Sequence, residues 1–137
     1  MRIAICEDNA VFAKELAAGI QAFFENKNIV PVIDCYFDEK LVQKISEDAG
    51  VYDIVFMDID LGGQKDGVEL CHKLRIYAPL VPIIFITSLE NRAIDGYDVD
   101  AFGFVVKKAY EEKLPLVLEK LWKQMYETKT LTVTEKS

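Results

Sequence analysis

Short apolar runs alternate with stretches of helical spacing along the chain. Arg2 to Cys6 reads as a first strand, ending at Glu7-Asp8. Asn9 can cap a helix whose apolar positions Phe12, Leu16, Ile20 and Phe23 recur on one face, up to about Asn26. Ile29 to Tyr36 reads as a second strand, with Pro31 near its start, where a missing N–H is tolerated. Asp38 is placed to cap a helix carrying Leu41, Val42 and Ile45, which stops near Gly50. Ile54 to Met57 is apolar without alternation, as in a central strand buried on both faces. After the long glycine-containing loop Leu61 to Asp66, Leu70, Cys71 and Leu74 mark a third helix that ends before Pro79. Val81 to Ile86 is another continuous apolar strand, closed by Thr87-Ser88, and Glu90 to Tyr97 predicts a short helix with Gly96 inside or just beyond it. Phe102 to Val106 is the fifth strand, ending at Lys107. Leu114, Val117, Leu118, Leu121 and Met125 define the last helix. Pro115 is tolerable there only within about the first turn, where backbone N–H groups lack partners anyway. The alternation predicts an α/β fold: a doubly wound, five-stranded parallel sheet, (βα)5, with helices on both faces and right-handed crossovers.

Parallel strands deliver their C-terminal ends to one edge, and ligands of open α/β sheets bind beyond that edge. Glu7-Asp8, Asp58, Thr87 and Lys107 each stand at the end of a different apolar run. Asp58 is therefore either a reactive carboxylate at the rim of the sheet or a strand-end Asp that caps the turn toward Gly62-Gly63. Three carboxylates brought together repel one another, and a hard divalent cation such as Mg²⁺ removes that conflict while keeping open positions for phosphate oxygens. Lys107 adds a point charge and Thr87 a hydroxyl donor. Taken singly, the acidic pair reads as a helix-initiating turn, Thr87 as a turn residue and Lys107 as a solvated side chain. Taken together, they are the parts of a phosphoryl-transfer site: a carboxylate nucleophile, a metal and fixed donors.

Charge and composition narrow the partners. The 137 residues carry 16 Lys+Arg against 23 Asp+Glu, a formal net charge of -7, which opposes general binding of nucleic acid or acidic membrane by this domain. No apolar run is long enough to span a bilayer, and the run behind Met1-Arg2 ends at Glu7, which implies no signal peptide. The three cysteines, Cys6, Cys35 and Cys71, have no paired spacing and read as reduced, buried thiols of a cytoplasmic protein. His72, the single histidine, reads as a solvated helix residue without a metal-binding companion.

Residues 1 to about 126 resemble the receiver domain of bacterial two-component response regulators, which places the domain at 1–127. The resemblance is carried by Ile3-Ala4-Ile5-Cys6-Glu7-Asp8, Asp53-Ile54-Val55-Phe56-Met57-Asp58, Asp66-Gly67, Ile83-Ile84-Phe85-Ile86-Thr87-Ser88 and Ala101-Phe102-Gly103-Phe104-Val105-Val106-Lys107. It implies the flavodoxin-like receiver fold, with Asp58 as phosphoacceptor. It also implies Mg²⁺ held by Asp8 and Asp58, by Glu7 largely through water, and by the backbone carbonyl of Asp60. Thr87 and Lys107 would hold the phosphoryl oxygens, and Phe104 matches the family's switch aromatic. A sensor histidine kinase is the implied partner. A homodimer through the face formed by Glu90–Tyr97, Phe102–Val106 and the last helix is the implied output. On this reading the chain is a self-phosphorylating switch, not a turnover enzyme.

Two positions depart from the family pattern. Lys108 stands where relatives usually have a proline in a cis peptide, and a cis bond before a non-proline residue costs ~3 kcal/mol, so a trans bond is expected. Asp60 is a second carboxylate where many relatives are neutral. The Phe102-Gly103-Phe104 pattern looks closest to receivers joined to LytTR-type DNA-binding domains. In Thr128 to Ser137, Thr130, Thr132 and Thr134 alternate with Leu131 and Val133, a strand-like period of two. A five-strand receiver is complete without it, so 128–137 reads as a linker or the start of a C-terminal domain through which alone DNA would be bound. Two rival readings remain. Val55 to Asp60 also resembles the nucleophile motif of haloacid-dehalogenase-type phosphatases, although two βα units precede Asp58 here. The chain could also be a receiver-like module that is never phosphorylated and acts only through protein contacts.

Overall fold

The computed structural model describes residues 1–127. The elements run β1 (Arg2–Cys6), α1 (Ala10–Glu25), β2 (Val32–Tyr36), α2 (Lys40–Glu47), β3 (Ile54–Met57), α3 (Gly67–Tyr77), β4 (Ile83–Thr87), a 3₁₀ helix (Glu90–Val99), β5 (Gly103–Val106) and α4 (Tyr110–Trp122). A π-helical turn, Lys123–Glu127, continues α4. The five strands form one parallel sheet in the order β2-β1-β3-β4-β5. The strand order reverses between β1 and β3, so their adjacent C-terminal ends frame the crevice in which such sheets bind ligands. The strand-like alternation expected from Thr128 onward lies outside the described residues.

The apolar runs of β3 and β4 become central strands because both faces of the sheet are covered there. Every residue of β3 and β4 is buried. Alternation inside these runs divides the core into two layers. Ala4, Cys6, Val55, Met57 and Phe85 meet Leu41 and Ile45 of α2 and Leu70, Cys71 and Leu74 of α3. Ile3, Ile5, Ile54, Phe56, Ile84 and Ile86 meet Leu16, Ile20 and Phe24 of α1 and Leu114, Leu118 and Leu121 of α4. Helices thus cover both faces, as the (βα) order requires. Among the described residues no helix is long and apolar enough to cross a membrane.

Several local expectations need correction. Cys6 and Cys71 are buried, but Cys35 is exposed, because it stands on β2 at the edge of the sheet. Phe24, only 2% exposed, takes the core position on α1, and Phe23 is half-buried beside it. The helix drifts off a strict four-residue repeat at its end, so the next residue reaches the core. Asp38 accepts the N–H of Lys40 at 3.0 Å, but α2 starts one residue later than a direct cap there would give. The segment after β4 is a 3₁₀ helix two residues longer at its end than Glu90 to Tyr97. Its buried residues are only Gly96 and Val99, while Ile94 and Tyr97 face outward, so no apolar stripe favours the α geometry. Pro115 lies in the second turn of α4, because that helix begins at Tyr110, ahead of the apolar repeat that marks it. The absent N–H removes the bond that the Glu111 carbonyl would otherwise receive. The Lys107–Lys108 peptide is trans, as expected, and Lys107 opens a short 3₁₀ turn, Lys107–Ala109, that leads into α4.

Arg75, in the last turn of α3, ties the far end of this layer together. Its guanidinium donates to the carbonyls of Val99 at 2.7 Å, Asp100 at 3.1 Å, Ala78 at 3.1 Å and Val81 at 2.6 Å. Asp100 is a left-handed residue with φ 53° that ends the 3₁₀ helix, so Arg75 fixes that end to the start of β4. We expect Arg75→Met to lower stability by about 2 kcal/mol, the net worth of charge-assisted bonds to half-buried carbonyls. Urea denaturation checks this, and a loss below about 0.5 kcal/mol would mean that water replaces the guanidinium without cost.

Candidate functional site

The sheet's C-terminal edge gathers the acidic residues that the sequence spaces far apart. Glu7 and Asp8 follow β1 and Asp58 follows β3, and one carboxylate oxygen from each of the three lies within 4.8 Å of the other two. Asp58 and Glu7 are 3% and 2% exposed, whereas Asp8 is open to solvent. Lys107, at the end of β5, reaches back across β4. Its ammonium is 2.7 Å from Glu7 Oε1 and 2.8 Å from Asp58 Oδ2. Asp58 Oδ1 accepts the N–H of Asp60 at 3.1 Å, and Glu7 Oε2 accepts the N–H of Asn9 at 3.0 Å. Both buried carboxylates are therefore fixed at each oxygen, while Asp8 supplies the solvent-facing side of the cluster.

The electrostatics follow from burial. Desolvation pushes the Glu7 carboxyl up to about 7, with the Lys107 hydrogen bond and the Asn9 N–H acting against it and Asp58 adding to it. Burial works against the Lys107 ammonium, but the hydrogen bonds it donates to Asp58 and Glu7 outweigh it and raise its pKa above the usual lysine value. One lysine thus serves two buried carboxylates, with a third beside them. A hard divalent cation fits such an oxygen donor set, since it removes the remaining repulsion and takes few protein ligands.

The loop after β3 closes over this cluster. Gly62, at φ 84°, passes so near that an added Cβ would lie 3.1 Å from Asp8 Oδ2. Asp60 is exposed, and its Oδ1 accepts the N–H of Gly62 at 3.2 Å, so this carboxylate is engaged by its own loop. Asp60 and Asp66 face each other in a single antiparallel bridge. Asp66 caps α3 through Val68 N at 2.8 Å, and Arg92 of the 3₁₀ helix pairs with Asp66 at 3.0 Å. Thr87 is fully buried at the end of β4, and its Oγ1 accepts the N–H of Leu89 at 3.3 Å. Phe104 is half-buried on β5 and packs on Phe85, ring centroids 6.2 Å apart. Phe85 and Thr87 alternate onto one face of β4, so Phe104 lies on the side of the sheet that Thr87 also faces.

Glu7, Asp58 and Lys107 are thus brought into direct contact, with Asp8 beside them, Thr87 on the neighbouring strand end and Phe104 one layer below the rim. His72 is exposed on α3. Sequence reasoning gave no role to Gly67. An added Cβ there would stand 2.0 Å from the Asp58 carbonyl oxygen. Only a tertiary contact creates that need; the Asp66-Gly67 pair was legible as a matching piece without its reason. The ion pair of Lys108 with Glu90 at 2.5 Å was also not anticipated, nor was the face of Phe12 beneath the Lys107 ammonium.

Comparison with known proteins places these features. The family model described as "Response regulator receiver domain" matches residues 3–119. The chain is 26% identical over 137 residues to the transcriptional regulatory protein YpdB of Escherichia coli K12, covering 98% of this chain and 54% of the relative. It is 26% identical over 122 residues to the sensory transduction protein LytT of Bacillus subtilis strain 168, covering 88% of this chain and 47% of the relative. The chain spans about half the length of the curated relatives it matches. Among solved structures, the response regulatory domain of protein MrkE from Klebsiella pneumoniae superposes with a TM-score of 0.73 at 26% identity, covering 90% of this chain and 97% of that one.

Proposed function

This chain belongs to the response regulator receiver domain family of two-component signalling, with LytTR-type regulators among its relatives, and we propose that Asp58 is the residue through which it is switched. The single observation that carries this reading is the contact of Asp58 with Lys107 inside the Glu7–Asp8–Asp58 cluster. An Asp58 carboxylate oxygen attacks phosphorus, a P–O bond forms, and the bond to the donor breaks: P–N for a phosphohistidine of a sensor kinase, P–O for an acyl phosphate. The attacked centre gathers negative charge on its outer oxygens. Lys107, already at 2.8 Å from Asp58, is the donor nearest those oxygens. Thr87 offers its hydroxyl from the neighbouring strand end. Mg²⁺, held by Asp8, Asp58, the Asp60 carbonyl and Glu7 through water, would supply charge neutralisation when bound. The phosphatase reading is not favoured by the family match or by the position of Asp58 just after the third strand. The chain acts as a phosphorylated switch, in the cytoplasm, and not as a turnover enzyme.

The output reading follows from the apolar face beyond Thr87. Ile94, Tyr97 and Leu116 are exposed, and a groove lined by Ile94, Tyr97, Phe102 and Phe104 runs between the 3₁₀ helix and β5. A phosphoryl group draws Thr87 toward it, Phe104 follows into the space left, and the groove changes shape to favour a homodimer. The likeness to transcriptional regulators, together with a chain that spans about half of their length, supports a receiver domain over 1–127. The tail 128–137 is then a linker to, or the start of, a LytTR-type domain through which the whole protein meets DNA. Sedimentation tests the switch. Phosphorylated parent chain should associate more strongly than unphosphorylated chain, and Thr87→Ala should lose most of that difference. Identical association of the parent in both states would end this model.

A further inference from the structure

Lys107 has a third neighbour that carries no charge. Its ammonium sits over the face of Phe12, 4.7 Å from the ring centroid. The ring is held at its base and its edge. The Phe12 N–H donates to Asn9 Oδ1 at 3.0 Å, and the Asn9 N–H donates to Glu7 Oε2 at 3.0 Å. The other oxygen of Glu7 is on Lys107 itself, so the contacts close a circuit from Lys107 through Glu7, Asn9 and Phe12 back to Lys107. Tyr110 packs on Phe12, centroids 4.9 Å apart at 72°, and its hydroxyl donates to Glu15 Oε2 at 3.1 Å. Tyr110 opens α4 directly after the turn that Lys107 begins, so the ring is clamped between α1 and the lysine's own loop.

A lysine side chain is a flexible stem with a point charge, and two carboxylates attract the ammonium without fixing its approach. The negative face of an aromatic ring adds a direction. We propose that Phe12 is a positioning residue for Lys107: its ring keeps the ammonium at the mouth of the carboxylate cluster, where the oxygens of a phosphoryl group on Asp58 would arrive. The reactive half of this statement rests on Asp58 being the phosphoacceptor. The plainer role for Phe12 is packing alone, since its helical spacing with Leu16 and Ile20 suits a core residue, and it is half-buried against that core.

The two roles separate in a mutant cycle. With a small acyl phosphate and Mg²⁺, Phe12→Leu should slow labelling of Asp58 about three- to tenfold, within the range of a partly desolvated cation–ring contact. Phe12→Tyr, which keeps the ring, should restore the rate. In a Lys107→Ala background Phe12→Leu should have no further effect. Equal slowing in that background, or no rescue by Tyr, would overturn the proposal. A second readout needs no transfer: the ε-methylene proton resonances of Lys107 should be shifted upfield by the ring in the parent chain and should return to ordinary values in Phe12→Leu. Unshifted resonances in the parent would overturn the placement. Shifted resonances in a chain that takes no phosphoryl group would retire the phosphoacceptor reading and leave Phe12 as the holder of Lys107.

Discussion

Gly67→Ala should cost about 3 kcal/mol or more of stability, and it should disturb the site at the same time. The added methyl carbon would lie 2.0 Å from the Asp58 carbonyl oxygen, 2.8 Å from its carbon and 2.9 Å from Ile59 Cα. All three are backbone atoms, so no side chain can swing aside. The N–H of Gly67 also donates to the Ile59 carbonyl at 2.7 Å, which pins the start of α3 against the strand end that carries Asp58. The helix must therefore move off the strand, or Asp58 must move with the strand. Urea denaturation reads the first consequence and the labelling rate at Asp58 the second. A stability within about 0.5 kcal/mol of the parent would show that this contact yields easily, and that the glycine is not what sets the Asp58 backbone.

Asp58→Asn should remove phosphoryl labelling altogether while leaving the chain folded. The amide is nearly the same shape, and its one oxygen can still accept the Asp60 N–H that now bonds Oδ1 at 3.1 Å, while the Lys107 ammonium shifts from the new NH2 group toward Glu7. It cannot act as an anionic nucleophile. Lys107 is not left as an uncompensated buried charge, because Glu7 remains 2.7 Å from it. One of three crowded carboxylates has gone, so stability without divalent cation should stay within about 1 kcal/mol of the parent. Thermal or urea unfolding checks the fold, and intact-mass spectrometry checks the chemistry. Labelling of this variant at the parent's level would remove Asp58 from the mechanism.

What the sequence made legible follows from how local each cause is. β3 and β4 announce themselves because both faces are buried, so apolar residues run without interruption. Glu7, Asp8, Asp58 and Lys107 stand out because each breaks an apolar run at its end, and the parallel sheet converts those ends into one rim. The Asn9 cap was legible, but its N–H bond to Glu7 was not, since it depends on how the chain turns out of β1. Phe12 reads as a core residue because the same ring that packs on the core also faces a cation from a distant strand, and periodicity records only the first. The 3₁₀ geometry after β4 and the second-turn place of Pro115 leave no local signal: the first follows from how few of its side chains are buried, and the second from a helix start at Tyr110 that no side-chain cap marks. Gly67 needs the approach of Asp58 to explain it, which no window of the sequence contains.

The most direct test of the account is mass spectrometry of the parent chain after incubation with a small acyl phosphate, with and without Mg²⁺, followed by peptide mapping. One phosphoryl group per chain is expected, dependent on Mg²⁺, on the peptide that contains Asp58, with no continuing turnover of the donor. A label on any other residue, a label indifferent to Mg²⁺, or sustained hydrolysis of the donor without a labelled chain would contradict it.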